Sequence, residues 1–338
     1  ASLRMVEDCI RHILQRHEGV SEPDFKDVKS WYDKHLHPDV IDLNDQKIYK
    51  NIFHTGKWAG VFQFANSGAQ NFCQKSKPKS IIDISAITSI YRPGPLSAGV
   101  DNQYVNAKNN PSSVKYIHKL IKEITKETHG FLIFQEQIAL LAHKLGKDLS
   151  LDEGNMLRKL LTKKGTAGKT YEKKKKIYDK FVAGCVEKSI DKSEAEKLWQ
   201  TFEYFSGYGF NKSHAVSYSI LSYQCAYLLN YYPSEWLAAF LDKEPEDKKA
   251  KAISIARSLG YTIKTTDINT SGKVWEIDGK TLIQPLTSIK GLGAVAIEQI
   301  IANRPFNSVE DLLFNENISY SKLNKKGLDV LTRSQTLD

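Results

Sequence analysis

The stretch Gly207-Tyr208-Gly209-Phe210-Asn211-Lys212-Ser213-His214 decides how the rest of the chain is read. Two glycines permit a tight turn, because glycine tolerates backbone angles closed to other residues. Polar and basic groups follow at once, and then the long apolar run from Ala215 to Leu229. That order is a loop feeding a helix N-terminus, with Ser213 as the expected cap. Free backbone N–H groups and the helix dipole suit such a place to an anion, and Lys212 adds a full charge. The expectation is a phosphate or nucleotide contact; a capped surface turn is the plainer alternative.

Upstream of this loop the pattern is helical. Leu198, Phe202 and Phe205 form one stripe, and Ile177, Phe181, Val182 and Cys185 form another behind the lysine-dense run Lys169 to Lys176. A helix capped by Ser150 or Asp152 carries Met156, Leu157, Leu160 and Leu161 on its apolar face. Arg158, Lys159 and Thr162 fall on the opposite side, and the helix is expected to end near Gly165. Phe134, Ile138, Leu141 and Leu145 make a further stripe that Gly146 stops. Before it, the apolar run Ile81 to Ile90 meets Tyr91-Arg92-Pro93-Gly94-Pro95-Leu96, read as a rigid corner that aims Arg92, since proline is excluded from helix interiors. Residues 1–17 and 45–53 read as helices, and 18–45 as a mixed polar stretch broken by Pro23 and Pro38.

The character changes after Asp242. Residues 248–260 read as a helix, 261–268 as a strand, and 274–283 as a hairpin about Asp278-Gly279. Ile289-Lys290-Gly291-Leu292-Gly293-Ala294 then opens a helix through Ala302. This resembles a helix-hairpin-helix element, whose Gly-x-Gly turn offers backbone N–H groups to a DNA phosphate. The expected fold is mainly α, α+β as a whole: a helical domain followed by a small α/β region with that hairpin.

The 338 residues suggest two or three domains. Lys and Arg number 48 against 39 Asp and Glu, a net charge of +9 that favours nucleic acid, nucleotides or an anionic membrane as partner. No apolar run approaches the roughly 18 residues of a membrane span. The first residues carry Arg4, Glu7, Asp8 and Arg11 in place of a signal-peptide apolar core. Cys9, Cys73, Cys185 and Cys225 are far apart and indicate neither a zinc site nor a disulfide framework. A reducing cytoplasm is the expected setting.

Arg92, the Arg158–Lys159 pair and Lys212 lie in three separate segments. A triphosphate needs cations converging from different directions, and arginine binds phosphate bidentately. The strings Gly60-Val61-Phe62-Gln63, Tyr91 to Leu96, Phe134-Gln135-Glu136-Gln137, Leu157-Arg158-Lys159, Gly207 to His214 and Ser222-Tyr223-Gln224 occur in that order. Together they resemble the C-family replicative polymerases, the bacterial DNA polymerase III alpha subunits, along the whole of 1–338. The resemblance implies a palm-to-fingers connection over 1–55 and a helical fingers domain over 56–242 for nucleotide and template. It implies a small domain over 243–338 that grips duplex DNA. It further implies that Arg92, Arg158, Lys159, Asn211, Lys212, Ser213 and His214 bind the incoming deoxynucleoside triphosphate (dNTP). Tyr91, Lys163, Lys290, Gly291 and Gly293 would bind primer-template DNA. Two departures matter. Phe64-Ala65-Asn66 stands where the family has a Leu-Glu-Ser-like run, and Lys159 puts a point charge where an arginine fork is usual.

Polymerases of this kind place two metal ions on palm carboxylates. Ala1-Ser2-Leu3-Arg4 resembles the family string that follows the third of those acids, so the palm is expected to lie outside this chain. No catalytic residue and no metal ligand is assigned. Glu276 and Asp278 share a strand face but belong to the small downstream domain, and Asp152-Glu153 and Glu310-Asp311 read as helix-start charges. The resemblance implies Mg2+ held by the palm. Its implied partners are primer-template DNA, dNTPs, a palm-bearing polypeptide or segment, the sliding clamp and other replisome subunits, with no membrane and a place at the nucleoid. The alternative is a non-catalytic DNA- or nucleotide-binding protein descended from such a polymerase.

Overall fold

Apolar residues recur three and four apart through most of the chain. The computed structural model, which describes residues 2–161, 168–206 and 209–337, builds helices on them. In chain order these are α1 (Ser2–His17), α2 (Phe25–His35), α3 (Gln46–Ile48), α4 (Ser67–Ser76), α5 (Ile81–Ile90), α6 (Pro93–Ser97), α7 (Val100–Asn109), α8 (Lys119–Thr125) and α9 (Gln135–Leu145). There follow α10 (Leu151–Leu161), α11 (Lys169–Glu187), α12 (Lys192–Ser206), α13 (Lys212–Tyr231), α14 (Pro233–Lys243), α15 (Glu246–Ser258), α16 (Ala294–Asn303), α17 (Val309–Leu313) and α18 (Lys325–Arg333). Three short strands, β1 (Thr262–Lys264), β2 (Glu276–Asp278) and β3 (Thr281–Ile283), complete the mainly α fold with its small α/β region. The chain divides into a middle unit, residues 42–58 and 62–224, and an end unit, residues 1–41, 59–61 and 225–338.

The middle unit has its core where the stripes predict it. Ile138, Leu141 and Leu145 of α9, Leu157 and Leu160 of α10, Ile177, Phe181 and Cys185 of α11, and Trp199 and Phe202 of α12 are buried together. Each such side chain contributes about 2 kcal/mol by leaving water. Glycine sets how closely these helices approach. A methyl group on Gly154 would stand 2.5 Å from the Ala139 carbonyl oxygen, and one on Gly184 would stand 2.2 Å from the Lys147 nitrogen. Ser150, not Asp152, caps α10: its Oγ accepts from the Glu153 N–H at 3.1 Å, and its own N–H donates to the Glu153 carboxylate at 2.9 Å. Met156 is solvent-exposed, contrary to expectation, because the buried face centres on Leu157 and Leu160 and Met156 lies at its margin.

Two local readings change. Pro93 does not simply turn the chain; it stands at the first position of α6, where a missing N–H costs nothing, and Arg92 precedes it in extended backbone. The helix expected over 45–53 starts as α3 and continues as a wider π-type turn over Tyr49–His54. In the first turn of α5, Asp83 is buried. Burial works to raise its carboxyl, but the His129 ring, Lys108 3.0 Å away and the Lys79 N–H hold it below the usual carboxylate range. The stretches 25–35 and 100–109, polar enough to pass as irregular, are helices α2 and α7.

In the end unit α1 packs against α14. Gly60, at φ +66°, lies against Phe240, Met5 and Trp236, and the Trp236 indole N–H donates to the Ala59 carbonyl at 2.7 Å. Glu235 is buried and accepts from Arg16 at 2.8 Å, with the His17 ring 2.9 Å away. The sheet order is β1-β3-β2, β1 running parallel to β3 and β2 antiparallel to it. Asp278 pairs with Thr281, so the turn is Gly279-Lys280, one residue later than expected, with Gly279 at φ +58°. The strand expected over 261–268 keeps only 262–264. Beyond it Asp267 draws the chain into a turn by accepting from the Asn269 and Thr270 N–H groups. Leu286, Ile289, Leu292, Ile297, Ile300, Leu323 and Leu331 form the core under the glycine hairpin.

Candidate functional site

The end of the opening loop is strapped to the start of α9. The Phe210 N–H donates to the Ile133 carbonyl at 3.1 Å, and the Gln135 N–H donates to the Phe210 carbonyl at 2.9 Å. The Gln135 side chain donates to the Gly209 carbonyl at 2.9 Å. Directly after this strap α13 begins. Its cap is Asn211 rather than Ser213: Asn211 Oδ1 accepts from the His214 N–H at 2.9 Å and from the Ser213 hydroxyl at 2.7 Å. The physical reason is position. The helix starts at Lys212, so the residue before it reaches the N–H three on, and Ser213 already lies in the first turn.

The anion expected at this helix start is a carboxylate of the protein itself. Glu136, in the first turn of α9, accepts from the Asn211 side chain at 2.9 Å through Oε1 and from the Lys212 backbone N–H at 3.0 Å through Oε2. Arg158 Nη1 is 3.9 Å from Glu136 Oε1. The Lys212 ammonium donates to Glu127 Oε1 at 2.6 Å and lies 5.8 Å from the centre of the Phe134 ring. Arg158, the Asn211 side chain and the Lys212 backbone N–H are thus brought together around one carboxylate. Lys159, the next residue on α10, is exposed.

Arg92 reaches the same strap at Phe210. Its Nε donates to the Ser89 carbonyl at 2.9 Å and its guanidinium lies 4.6 Å over the Phe210 ring. Burial lowers its pKa from the ordinary arginine value. From Phe210 a run of rings continues through His214 at 5.4 Å, Tyr218 at 4.3 Å and Phe62 at 5.3 Å. The Ser222 hydroxyl holds Phe62 by donating to its carbonyl at 2.9 Å. Tyr91 stacks on Phe72 and donates to Asn66 Oδ1 at 3.2 Å, beside a cleft lined by Gln63, Phe64, Phe210 and Ala215. Lys163, Gly207 and Tyr208, and the helix end expected near Gly165, lie outside the described residues.

At the hairpin, Lys290, Gly291 and Gly293 are exposed. Gly291 has φ +97°, which side-chain-bearing residues rarely adopt, whereas Gly293 is the extended N-cap of α16 at φ −77°. Lys290 is 3.9 Å from Glu246, both well exposed.

Glu127 and Glu136 were missed as functional groups. Glu136 has one local signal, an acid in a helix first turn; Glu127 has none, since its partner is 85 residues away. Among the described residues, no three His, Cys, Asp or Glu side chains gather closely enough to hold a metal ion. Glu127 and Glu136 are engaged by cations, and Glu276, its pKa raised by burial, lies against Gly272. Among the described residues no helix is long and apolar enough to cross a membrane.

Residues 23–189 match the family described as the bacterial DNA polymerase III alpha subunit finger domain, and residues 260–338 match the helix-hairpin-helix motif. DNA polymerase III subunit alpha of Chlamydia trachomatis is 35% identical over 305 residues, covering 88% of this chain and 24% of that protein. The Campylobacter jejuni protein of the same name is 32% identical over 318 residues, 92% of this chain and 26% of that protein. That of Thermus aquaticus is 33% identical over 311 residues, 89% and 25%. The chain spans about a quarter of the length of the curated relatives it matches. These similarities show that the chain belongs to the bacterial DNA polymerase III alpha-subunit family.

Proposed function

We propose that this chain is the fingers-containing part of a replicative DNA-directed DNA polymerase, and that it binds the incoming dNTP and primer-template DNA. The observation that carries the reading is the gathering of Arg158, Asn211 and Lys212, from α10 and the start of α13, around the single carboxylate of Glu136. A phosphate offers the same acceptor oxygens to the same donors. Arg92, Lys159, Ser213 and His214 complete the nucleotide side of the assignment. Tyr91 and Lys163 face template in it, and Lys290, Gly291 and Gly293 grip duplex backbone. By function, residues 1–55 connect to the palm, 56–242 serve nucleotide and template, and 243–338 serve duplex DNA.

In the proposed reaction the primer 3′-OH oxygen attacks the α-phosphorus of the dNTP and pyrophosphate leaves. The residues of this chain orient the triphosphate and offset the charge growing on the leaving pyrophosphate. The carboxylates and the Mg2+ they hold belong to a palm outside this chain; bound there, the metal supplies Lewis-acid charge. The sliding clamp, other replisome subunits and a cytoplasmic, nucleoid-bound setting follow from the same reading.

Primer extension tests it. The chain alone is expected to be inactive and a mixture with a palm-bearing polypeptide active. In that mixture Arg158→Ala and Lys212→Ala are expected to raise the KM for dNTP about tenfold or more, as lost phosphate contacts do. Unchanged KM with lowered DNA affinity would sink the nucleotide assignment. A mixture that binds both ligands and never extends a primer would favour a non-catalytic binding protein.

A further inference from the structure

We infer that Glu127 and Glu136 are built-in counter-ions of the nucleotide site, displaced by the triphosphate and setting a threshold of negative charge for entry. The inference rests on the nucleotide reading above and goes beyond it, because it assigns a role to acids rather than to the cations. Glu136 accepts from Asn211 at 2.9 Å and from the Lys212 N–H at 3.0 Å and lies 3.9 Å from Arg158. Glu127 accepts from the Lys212 ammonium at 2.6 Å. The two carboxylates offset Arg158 and Lys212, so a ligand gains the full charge of these two cations only by displacing the acids.

The contacts are suited to exchange. The side chains of Arg158, Lys212, Glu127 and Glu136 are 25%, 33%, 34% and 34% exposed, so water and ligand both reach them. Partly exposed pairs of this kind are weak and salt-screened, in contrast to buried ones. A triphosphate brings more negative charge than the two carboxylates together and more acceptor oxygens. A monophosphate does not, and competes poorly. The acids thereby favour triphosphates over shorter phosphates without touching base or sugar. They also keep Lys212 and Asn211 in place while no nucleotide is bound, which lowers the reorganisation needed on binding.

The test uses the 338-residue chain and inorganic tripolyphosphate, measured by titration calorimetry. Glu127→Gln is the primary variant, because Glu127 is partly exposed and, among the described residues, its ion pair is with Lys212. It is expected to tighten tripolyphosphate about three- to fivefold at low salt, the gain shrinking as salt rises. The same change in a Lys212→Ala background is expected to give no gain. Glu136→Gln, which keeps an acceptor oxygen for Asn211, is expected to tighten binding likewise and to narrow the preference for tripolyphosphate over orthophosphate. If Lys212→Ala and Arg158→Ala weaken tripolyphosphate while neither glutamine variant tightens it, the counter-ion role is overturned and the site assignment stands. If the lysine and arginine variants also change nothing, the nucleotide reading falls with it.

Discussion

Asp242 shows how one side chain records its surroundings. It accepts weakly from the Trp275 N–H at 3.4 Å, and burial pushes its carboxyl up to about 7, with the charge of Asp8 adding to the rise and Lys243 and Lys249 opposing it. In the unfolded chain the same group titrates near about 3.9. Between those values the folded state binds more protons than the unfolded one, so this group's contribution makes stability fall as pH rises from about 4 to 7. Asp242→Asn keeps an acceptor for Trp275 and removes the charge. Its unfolding free energy in urea is expected to exceed that of the parent by on the order of 2–4 kcal/mol near pH 8, with the gap closing near pH 4. A gap that stays constant between the two pH values would assign the effect to packing. Proximity in space also decides the partner of Lys212, whose ammonium is met by Glu127 and not by a neighbour in sequence.

At the scale of elements, glycines do two different jobs. Gly154 lets α10 lie on α9, and Arg158 follows one turn later on the same helix. Gly154→Ala forces a methyl group to within 2.5 Å of a backbone oxygen, and the helices must part. The expected cost is about 2 kcal/mol in urea unfolding, with a raised KM for dNTP in the reconstituted enzyme because Arg158 moves with the helix. Unchanged KM in the destabilised variant would show that α10 does not position the site. In the hairpin, Gly291 supplies φ +97° while Gly293 needs no special backbone angle and has open space about it. Gly291→Ala is expected to cost about 1 kcal/mol in strain. Gly293→Ala is expected to leave stability alone and, on the duplex-binding proposal, to lower duplex affinity by holding a phosphate away from the backbone. Retention of full DNA affinity by Gly293→Ala, measured by fluorescence anisotropy, would remove Gly293 from the interface.

For the whole molecule, the net charge of +9 suits a polyanionic partner, and the proposed association with DNA would rest on phosphate contacts and released counter-ions. Duplex affinity is expected to fall steeply with salt on a log–log plot, and Lys290→Ala is expected to reduce that slope by about 0.9, one phosphate contact. An unchanged slope would place Lys290 off the DNA. The exposed ion pair with Glu246 does not oppose this, because a pair 3.9 Å apart in water is worth little.

The sequence by itself determined α9, α11 and α12, because each buries one stripe and the stripe is written at intervals of three and four. It determined the family, because six short motifs stand in one order, and it named the cations and the hairpin. It did not reveal α2 or α7, whose surfaces are mostly polar, nor Met156 as an exposed residue, since the centre of a buried face depends on what packs against it. Only the tertiary structure decided what faces the cations. Glu136 meets Lys212 across 76 residues and Glu127 meets it across 85, separations no local periodicity spans. The sheet likewise needed the fold, because β1 joins β3 side by side and parallel, while adjacency in the chain favours the β2–β3 hairpin alone. Local patterns follow from the geometry of one helix or one turn, whereas the charge state and neighbours of a site are set by segments that folding brings together.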